Sequence, residues 1–301
     1  MKYYFIFNQV AGKEAKRSAF LEKLKDFINN HHDDIELYIT QNVGDATIKA
    51  KTIAENHQGE DVCIFACGGD GTMNEVVNGI AEYDNVILGI IPTGSCNDFL
   101  KIYPEYDFMD LEKQLQGEAI PMDLIKVNHF YCLNVTNIGF DACVNYDQIC
   151  YRPRFKTVKK AYNYAIFRNL IKPLGYQVHV EVDDQNFFDG KALLMAFGNG
   201  GFYGGGYHCA PKASPNDGII DVTLIKKISI LRFLTLINKY KTGEVYDNAK
   251  YKKLALWAKA KKIKITSDKE LTISIDGETI HRKEVLIENV MHKIRFMLPK
   301  K

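Results

Sequence analysis

Short, continuously apolar runs that alternate with amphipathic segments dominate the first 125 residues of this chain. The apolar runs lie at residues 3–7, 35–40, 62–67 and 86–92, with helix-like segments up to residue 29 and at 44–56 between the first three. Strands that are apolar on both faces and are separated by helices are typical of a parallel sheet covered on both sides. The sequence therefore predicts an open, mostly parallel α/β domain, whose ligands should bind beyond the carboxyl ends of the strands.

A glycine-rich loop follows the third of these strands. Gly68-Gly69-Asp70-Gly71-Thr72 lies between the strand at 62–67 and a predicted helix at 72–81. Glycines let the backbone approach phosphate groups, and the N-terminus of a helix attracts anions. The loop therefore predicts a phosphate site with Thr72 as a helix cap, although it also fits a tight structural turn capped by Asp70.

A second polar loop, PTGSCNDF at 92–99, follows the next strand. Asp70 of the first loop and Asp98 of the second would then face one crevice. Two carboxylates near triphosphate oxygens favour a bridging divalent cation, which predicts Mg²⁺ and catalytic roles for both residues. The alternative is an Asx turn, in which Asn97 and Asp98 cap the following helix.

Strand-like runs dominate the chain beyond residue 125. They lie at 130–138, 177–182, 191–197, 218–225, 263–266, 271–275 and 284–287, and helices are predicted at 156–171 and 228–241. Short runs bounded by turn residues are typical of antiparallel β structure. The sequence therefore predicts a second, mainly β domain. The pair His31-His32 indicates an exposed helix end rather than a metal site.

The composition excludes several classes of protein. The 39 Lys and Arg residues against 37 Asp and Glu give a formal net charge of +2, which provides no overall field for nucleic acid. The seven cysteines include no CxxC pair, which argues against a disulfide framework and a zinc knuckle. The N-terminus lacks a signal-peptide cleavage site, and no apolar stretch reaches the ~18 residues that span a bilayer. We expect a cytoplasmic protein that is not integral to a membrane.

Four ordered motifs resemble the diacylglycerol kinase catalytic-domain family, specifically its bacterial lipid kinases. They are GGDGTMNEVVNG at 68–79 with PTGSCNDF at 92–99, FYCLNVTNIGFDA at 130–142, NGGFYGGGYHCAPKASPNDGIIDV at 199–222, and DGE at 276–278. The resemblance implies a nucleotide-binding α/β domain of the NAD kinase and diacylglycerol kinase type, formed by residues 1–125 and 288–301. It also implies a C-terminal all-β sandwich at 126–287 that takes the lipid substrate.

The same resemblance implies roles for individual residues. Glu278 would accept the proton of the acceptor hydroxyl, and Asp217 would hold a structural Mg²⁺ with backbone oxygens of Ser214 and Ile219. The residues that would contact ATP are Asn8, Gly12, Thr40, Gly69, Asp70, Gly71, Thr72, Asn74, Glu75 and Ser95. Apart from the resemblance, the Asp-Gly-Glu sequence at 276–278 also fits a plain hairpin turn.

The first loop departs from the family pattern. The family usually has Pro and Ser where Gln9 and Ala11 stand here, so a hydroxyl contact to phosphate is missing at that position. This difference motivates an alternative in which the chain binds nucleotide or lipid without turnover.

Two basic segments suggest how the protein reaches a lipid. Residues 151–172 contain seven basic and no acidic residues, interleaved with aromatic ones, and residues 239–264 contain nine lysines, two acidic residues and Trp257. Basic and aromatic residues together are typical of a membrane interface. We expect peripheral contact with the inner membrane surface, although both segments also fit a solvated face packed on the β domain.

The leading prediction is an ATP-dependent lipid kinase that uses Mg²⁺, with diacylglycerol as the first acceptor to test. Phosphatidylglycerol, a sphingoid base and an isoprenoid alcohol present similar hydroxyl groups. A kinase of a soluble acceptor such as NAD is the enzymatic alternative, because GGDGT and the pair Asn74-Glu75 also occur in those enzymes. An exposed sheet edge in the β domain would permit a homodimer.

Overall fold

In the computed structural model, which describes residues 1–31 and 34–301, the chain forms two units. The first unit comprises Met1–Leu124 and Met291–Lys301, and the second comprises Ile125–Val290. The sequence places the corresponding boundaries at 125/126 and 287/288.

The first unit contains the predicted alternation of strands and helices. Its elements are β1 (Lys2–Asn8), α1 (Glu14–Asn30), β2 (Ile35–Thr40), α2 (Asp45–Asn56), β3 (Val62–Gly68), α3 (Asp70–Ile80), β4 (Val86–Pro92), α4 (Leu111–Leu115) and β5 (Glu118–Val127), and β5 continues into the second unit. A 3₁₀ turn, Phe99–Ile102, follows β4. His32 lies outside the described residues.

A parallel sheet organises this unit. Its strands lie in the order β2, β1, β3, β4, and the last strand, β15 (Glu278–Leu298), adds to β4 in parallel through Arg295 and Phe296. Every residue of β3 is buried, as expected for a strand covered on both faces. The predicted open α/β fold is therefore confirmed.

The second unit is built mainly of antiparallel strands. Its strands are β6 (Phe130–Cys132), β7 (Val135–Gly139), β8 (Tyr176–Val182), β9 (Gln185–Gly198), β10 (Phe202–Tyr203), β11 (Tyr207–His208), β12 (Ile220–Lys226), β13 (Ala255–Ala260), β14 (Lys262–Ile275) and the first part of β15. Its helices are α5 (Phe140–Tyr151), α6 (Val158–Leu170), α7 (Ile230–Lys241) and α8 (Glu244–Asp247), with 3₁₀ turns at Arg152–Arg154 and Ala249–Tyr251.

Two long strands, β9 and β14, hold the second unit together. Each pairs with β8 along one half and with β7 along the other, and all of these pairings are antiparallel. The inner faces enclose a cluster of buried Val, Ile, Leu and Phe side chains. The predicted β-sandwich is confirmed, and β14 joins the two runs that the sequence separates at 263–266 and 271–275.

The sequence analysis missed helix α5. The helix begins after Gly139, whose φ of +112° breaks strand β7, and it buries Phe140, Ala142 and Val144. Its β-branched and aromatic residues have modest helix propensity, so the local signal resembles that of the preceding strand. Tertiary packing therefore decides this segment.

Candidate functional site

The loops after β1, β3 and β4 meet at one edge of the parallel sheet. In the register of the sheet, Asn8 at the end of β1 lies beside Thr40, and Gly68 at the end of β3 lies beside Pro92. Parallel strands place their carboxyl ends on the same side, so the alternation of strands and helices is sufficient to bring these loops together.

Asn8 joins the first loop to helix α3. Its Nδ2 donates to Thr72 Oγ1 at 2.9 Å, and its Oδ1 accepts from the backbone N–H of Val10 at 2.9 Å. Thr72 is buried, with 4% of its surface exposed. The hydroxyl of Thr72 therefore holds the first loop against the glycine loop.

Glycines allow the loops to touch through their backbones. Gly12 has a φ of +69°, and a β-carbon on it would lie 2.1 Å from the carbonyl oxygen of Thr93. A β-carbon on Gly94 would lie 2.2 Å from Gly69 Cα, and the Gly94 N–H donates to the carbonyl of Gly68 at 2.8 Å. The three loops therefore interlock, and side chains at Gly12 or Gly94 would separate them.

Asp70 braces the second loop. Its Oδ1 accepts from the N–H of Asp98 at 2.8 Å, and its Oδ2 accepts from the N–H of Asn97 at 3.0 Å. Asn97 has a φ of +48°, a conformation that Asn tolerates better than most residues. The Asp70 carboxylate therefore fixes the geometry of the second loop.

Asp98 lies beside Asp70 and is 4% exposed. Its carboxylate forms an ion pair with Lys101, and Oδ1 accepts a hydrogen bond from that ammonium. The ligand atoms of Asp70, Cys96 and Asp98 lie within 4.8 Å of one another, which is the one such grouping of His, Cys, Asp and Glu in the described residues.

The chemistry of this group fits a hard cation through its carboxylates. Desolvation, and then the charges of Asp98 and Asp70, raise the pKa of the Cys96 thiol, so this group stays neutral. Mg²⁺ prefers oxygen ligands and usually retains several waters while it contacts one or two carboxylates and substrate phosphates. Asp70 and Asp98 would therefore hold a Mg²⁺, and Cys96 would not ligate it.

The N-terminus of α3 has the features of a phosphate cradle. A β-carbon on Gly71 would meet no described atom within 4 Å, so the first turn of the helix faces open space. In the described residues, no side chain accepts a hydrogen bond as N-cap of this helix, and the first backbone N–H groups of any helix lack intrahelical partners. An anion at this position would gain both hydrogen bonds and the helix dipole.

Two buried polar atoms near the cradle also lack partners. Asn74 Nδ2 and Thr93 Oγ1 are inaccessible to solvent and have no hydrogen-bond partner among the described residues. Buried polar groups are nearly always satisfied in native proteins, by ordered water or a ligand where protein groups are missing. These atoms therefore fit a site whose remaining partners come from a bound molecule.

The other residues predicted to contact ATP occupy different environments. Thr40 is buried at the end of β2, and Ser95 is exposed in the second loop. Glu75 Oε2 accepts from the N–H of Ala46 at 3.1 Å, in the first turn of α2. Glu75 therefore joins α3 to α2, and its ATP contact stays a prediction, as do those of Thr40 and Ser95.

Glu278 belongs to the second unit, where it opens β15 directly after a two-residue turn. Asp276 and Gly277 form this turn with φ values of +47° and +100°, and Ile275 pairs with Glu278 across it. Positive φ at both central residues is the requirement of a type I′ hairpin. The Asp-Gly pair therefore forms a hairpin turn, which leaves the Glu278 side chain exposed, and the role of Glu278 as a base stays a prediction.

Asp276 anchors this turn. Its carboxylate accepts hydrogen bonds from the backbone N–H groups of Leu133, Asn134 and Val135 at 2.7 to 3.1 Å, and from the Cys132 thiol. Burial raises the pKa of Asp276 while these hydrogen bonds lower it. The buried carboxylate of Asp276 therefore fixes the turn that carries Glu278.

The predicted structural magnesium site has a different arrangement. Asp217 Oδ1 accepts from the N–H of Ile219 at 3.1 Å, and its Oδ2 lies 2.9 Å from Lys259 Nζ in an ion pair. Ser214 Oγ donates to Asn216 Oδ1 at 2.9 Å. The Lys259 ammonium is the ionic partner of the Asp217 carboxylate in this structure, and the magnesium site at Asp217, Ser214 and Ile219 stays a prediction.

A half-buried acid with a raised pKa lies elsewhere in the second unit. Asp141, in the first turn of α5, accepts a hydrogen bond from the hydroxyl of Tyr203, which also lies 2.7 Å from the hydroxyl of Tyr240. Desolvation raises the pKa of Asp141 to about 6 despite the hydrogen bond from Tyr203.

Sequence reasoning missed several of these residues. Thr93, Gly94 and Asn97 help to lock the loops, and Asp276 anchors the turn. Asn97 and Asp276 lie in motifs of the family resemblance, but the sequence indicates no role for them beyond that of turn residues. Nothing local in the sequence indicates that Gly94 touches Gly69, because that contact joins loops from different strands.

Two family models match successive parts of the chain. The model of the diacylglycerol kinase catalytic domain matches residues 2–127. The model of the YegS C-terminal NAD kinase beta sandwich-like domain matches residues 134–297.

Similar proteins cover nearly the whole chain. A diacylglycerol kinase of Staphylococcus epidermidis is 30% identical over 98% of this chain and 91% of its own length. A diacylglycerol kinase of Bacillus subtilis is 29% identical over 98% of this chain and 95% of its own.

Solved structures share the fold. A diacylglycerol kinase from Bacillus anthracis covers 99% of this chain and 96% of its own, with a TM-score of 0.71 and 23% identity. Yeast NADH kinase, solved with NADH, covers 100% of this chain and 84% of its own, with a TM-score of 0.54 and 11% identity.

In the described parts of the chain, no helix has the length and hydropathy needed to cross a bilayer.

Proposed function

The chain belongs to the diacylglycerol kinase catalytic-domain family, and from this we propose that it transfers the γ-phosphate of ATP to the hydroxyl group of a lipid. The interlocked loops of the first unit carry this proposal. They combine an open helix N-terminus at Gly71 with two adjacent carboxylates, which suits the phosphates of a nucleotide and a cation.

Phosphoryl transfer requires mainly positioning and charge stabilisation from the protein. The backbone N–H groups at the start of α3 would hold phosphate oxygens, while Asn8, through Thr72, keeps the first loop against them. Mg²⁺ held by Asp70 and Asp98 would neutralise charge on the phosphates. Both carboxylates are already placed by protein hydrogen bonds, so little reorganisation is needed.

The acceptor side of the reaction requires a base. In this proposal the lipid oxygen bonds to the γ-phosphorus, the bond from that phosphorus to the bridging oxygen of ADP breaks, and the Glu278 carboxylate takes the hydroxyl proton. The exposed position of Glu278 on a fixed hairpin leaves its carboxylate accessible to an acceptor. Diacylglycerol is the first candidate, because it is named in the relatives that match the chain along almost its entire length.

A panel of acceptors tests the proposal. Purified protein is incubated with labelled ATP, Mg²⁺ and mixed micelles of diacylglycerol, phosphatidylglycerol, a sphingoid base or an isoprenoid alcohol, with NAD as the soluble acceptor. We expect label in a lipid product. Phosphorylation of NAD but of no lipid would support a soluble-acceptor kinase instead, and ATP binding without any transfer would support a regulator.

The role of Glu278 is tested separately. Glu278→Gln should lose at least about 100-fold in turnover, because general base catalysis typically contributes 10²–10⁴-fold. Its ATP affinity and unfolding midpoint should not change, since the side chain is exposed. Glu270→Gln, an exposed glutamate on the adjoining strand β14, is the matched control and should keep full activity.

A further inference from the structure

Helix α5 lies against the hairpin that carries Glu278. Strand β7 pairs with β14 first at Ile275, beside the turn of this hairpin, and then at Ile273, further from the turn. The chain then reverses at Gly139, whose φ is +112°, and enters α5. The helix therefore runs back toward the turn, where its middle residues reach the loop that precedes Glu278.

Asn145 of α5 holds the turn directly. Its Nδ2 donates to the carbonyl oxygen of Gly277 at 2.6 Å and to Ser274 Oγ at 3.3 Å. A primary amide carries two N–H groups, so one side chain can donate to both oxygens. Ser274 is buried in β14, whereas Gly277 lies at the exposed tip of the hairpin. Asn145 therefore joins the tip of the hairpin to its buried strand.

The carbonyl group of Gly277 sets the direction of Glu278. A peptide unit is planar, so the carbonyl oxygen of Gly277 lies in one plane with the N and Cα atoms of Glu278. Gly277 has a φ of +100°, and a β-carbon on it would meet no described atom within 4 Å, so packing does little to restrain its backbone. The hydrogen bond from Asn145 therefore fixes the peptide plane from which the Glu278 side chain projects.

The same helix contacts the strand beyond Glu278. The ring of Tyr146 meets that of His281 edge-on, with the centroids 4.8 Å apart and the planes at 89°. Ser274 and His281 lie on one face of the hairpin, because Ser274 pairs with Thr279, two residues before His281. Successive side chains of a strand alternate between faces, so Glu278 projects from the opposite face. Helix α5 therefore supports the hairpin and leaves the Glu278 carboxylate accessible.

Helix α5 is itself held on both sides of Asn145. In its first turn, Asp141 accepts a hydrogen bond from the hydroxyl of Tyr203. In its second half, Asp147 is 6% exposed and accepts from Asn169 Nδ2 of α6 at 2.9 Å. Both contacts join α5 to other elements of the second unit, so the helix presents the Asn145 amide at a defined position.

We propose that Asn145 is a positioning residue for phosphoryl transfer, which orients the Glu278 carboxylate toward the acceptor hydroxyl through the Gly277 carbonyl. Glu278 remains the group that takes the proton, and Asn145 acts on the reaction only through it. A base must lie within hydrogen-bond reach of the proton that it takes, and a displacement of about 1 Å can cost about 100-fold in rate. The inference deepens the proposed function and rests on it, because it requires Glu278 to be the base.

Steady-state kinetics with ATP, Mg²⁺ and a short-chain diacylglycerol dispersed as monomers tests this role. Asn145→Leu removes both donors and nearly keeps the volume of the side chain. We expect kcat to fall roughly ten- to 100-fold, while KM for the diacylglycerol and Kd for ATP change by less than about twofold, because only the orientation of the base is lost. Asn163→Leu, at an exposed asparagine of α6, is the matched control and should keep the kcat of the unaltered chain.

A double variant separates positioning from a general effect on the structure. If Asn145 acts only through the Glu278 carboxylate, Asn145→Leu should cause no further loss of kcat in the Glu278→Gln protein, which has no base to orient. Losses that multiply in the double variant would overturn the inference. A kcat of Asn145→Leu equal to that of the unaltered chain would do the same.

The same measurements distinguish this failure from that of the proposed function. If Glu278→Gln is defective and its loss multiplies with that of Asn145→Leu, Glu278 keeps its role and the positioning role alone is wrong. Full activity of Glu278→Gln would overturn the role of Glu278 as the base and this inference with it. No transfer to any lipid by the unaltered chain would overturn the proposed function as a whole, and the positioning role with it.

Discussion

Alanine substitutions at three glycines in the interlocked loops can distinguish a change in the stability of the site from a change in its affinity for ATP. A β-carbon on Gly94 would lie 2.2 Å from Gly69 Cα and 2.8 Å from Gly69 N, whereas one on Gly69 would lie 3.3 Å from Gly94 Cα. A β-carbon on Gly71 would meet no described atom within 4 Å. Since none of the three has a positive φ, alanine changes only the space that each position occupies.

The expected stability changes follow those distances. Overpacking typically costs about 1–3 kcal/mol, and Gly94→Ala should reach or exceed the upper end because backbone cannot rotate away. Gly69→Ala requires a shift of a few tenths of an ångström and should cost less. Gly71→Ala should leave the free energy of unfolding unchanged or raise it by up to about 1 kcal/mol, because alanine favours the helix.

The order of ATP affinities should differ from the order of stabilities. If the start of α3 holds phosphate, the added methyl group of Gly71→Ala occupies the open space of the cradle and weakens an anion contact. Charged hydrogen bonds contribute about 1.5–3 kcal/mol, so a loss of roughly ten- to 100-fold in affinity is expected. Gly71→Ala should therefore be stable and defective in ATP binding.

Urea unfolding followed by circular dichroism measures the stabilities, and titration calorimetry with ATP and Mg²⁺ measures the affinities. Gly69→Ala keeps the comparison informative if Gly94→Ala does not fold. A Gly94→Ala protein as stable as the unaltered chain would refute the backbone contact between the loops. Unchanged ATP affinity in Gly71→Ala would refute the phosphate cradle.

Three further predictions concern the second unit. Asp276→Ala should lower the free energy of unfolding by about 3–5 kcal/mol, since it leaves buried N–H groups without an acceptor, and urea unfolding should show Asp276→Asn to be milder. Lys259→Met removes the ammonium beside Asp217, so Mg²⁺ should raise the thermal midpoint of this variant more than that of the unaltered chain, and Asp70 and Asp98 are the same in both proteins. An equal effect of Mg²⁺ on both would show that the ammonium does not compete with Mg²⁺ at Asp217. Because burial raises the pKa of Asp141 from 3.8 to about 6, the folded state binds this proton more tightly than the unfolded chain does. The resulting stabilisation, about 3 kcal/mol at most, is lost as pH rises from about 4 to 6, and unfolding curves of Asp141→Asn across that range should lack this decline relative to the unaltered chain.

The sequence was sufficient for the architecture of the first unit because its signals are local. Each strand is a continuous apolar run, and each loop that follows contains the glycines and short polar residues of the site. The carboxyl ends of parallel strands must coincide, so the position of the site followed from the fold class. Helix α5 and the joining of β14 depend on packing between distant segments, for which a local pattern contains no information.

The two carboxylates of the site show a difference that the sequence pattern does not predict. In the sequence Asp70 and Asp98 are equivalent, each in a polar loop at the end of a strand. In the structure Asp70 accepts hydrogen bonds from two backbone N–H groups of the opposite loop. Asp98 is paired with Lys101, three residues further along the chain in the 3₁₀ turn. A backbone N–H cannot leave without unfolding the loop, but a lysine side chain can rotate away. A cation can therefore replace the lysine partner of Asp98. The position of the Asp70 carboxylate, in contrast, is already fixed before a cation binds.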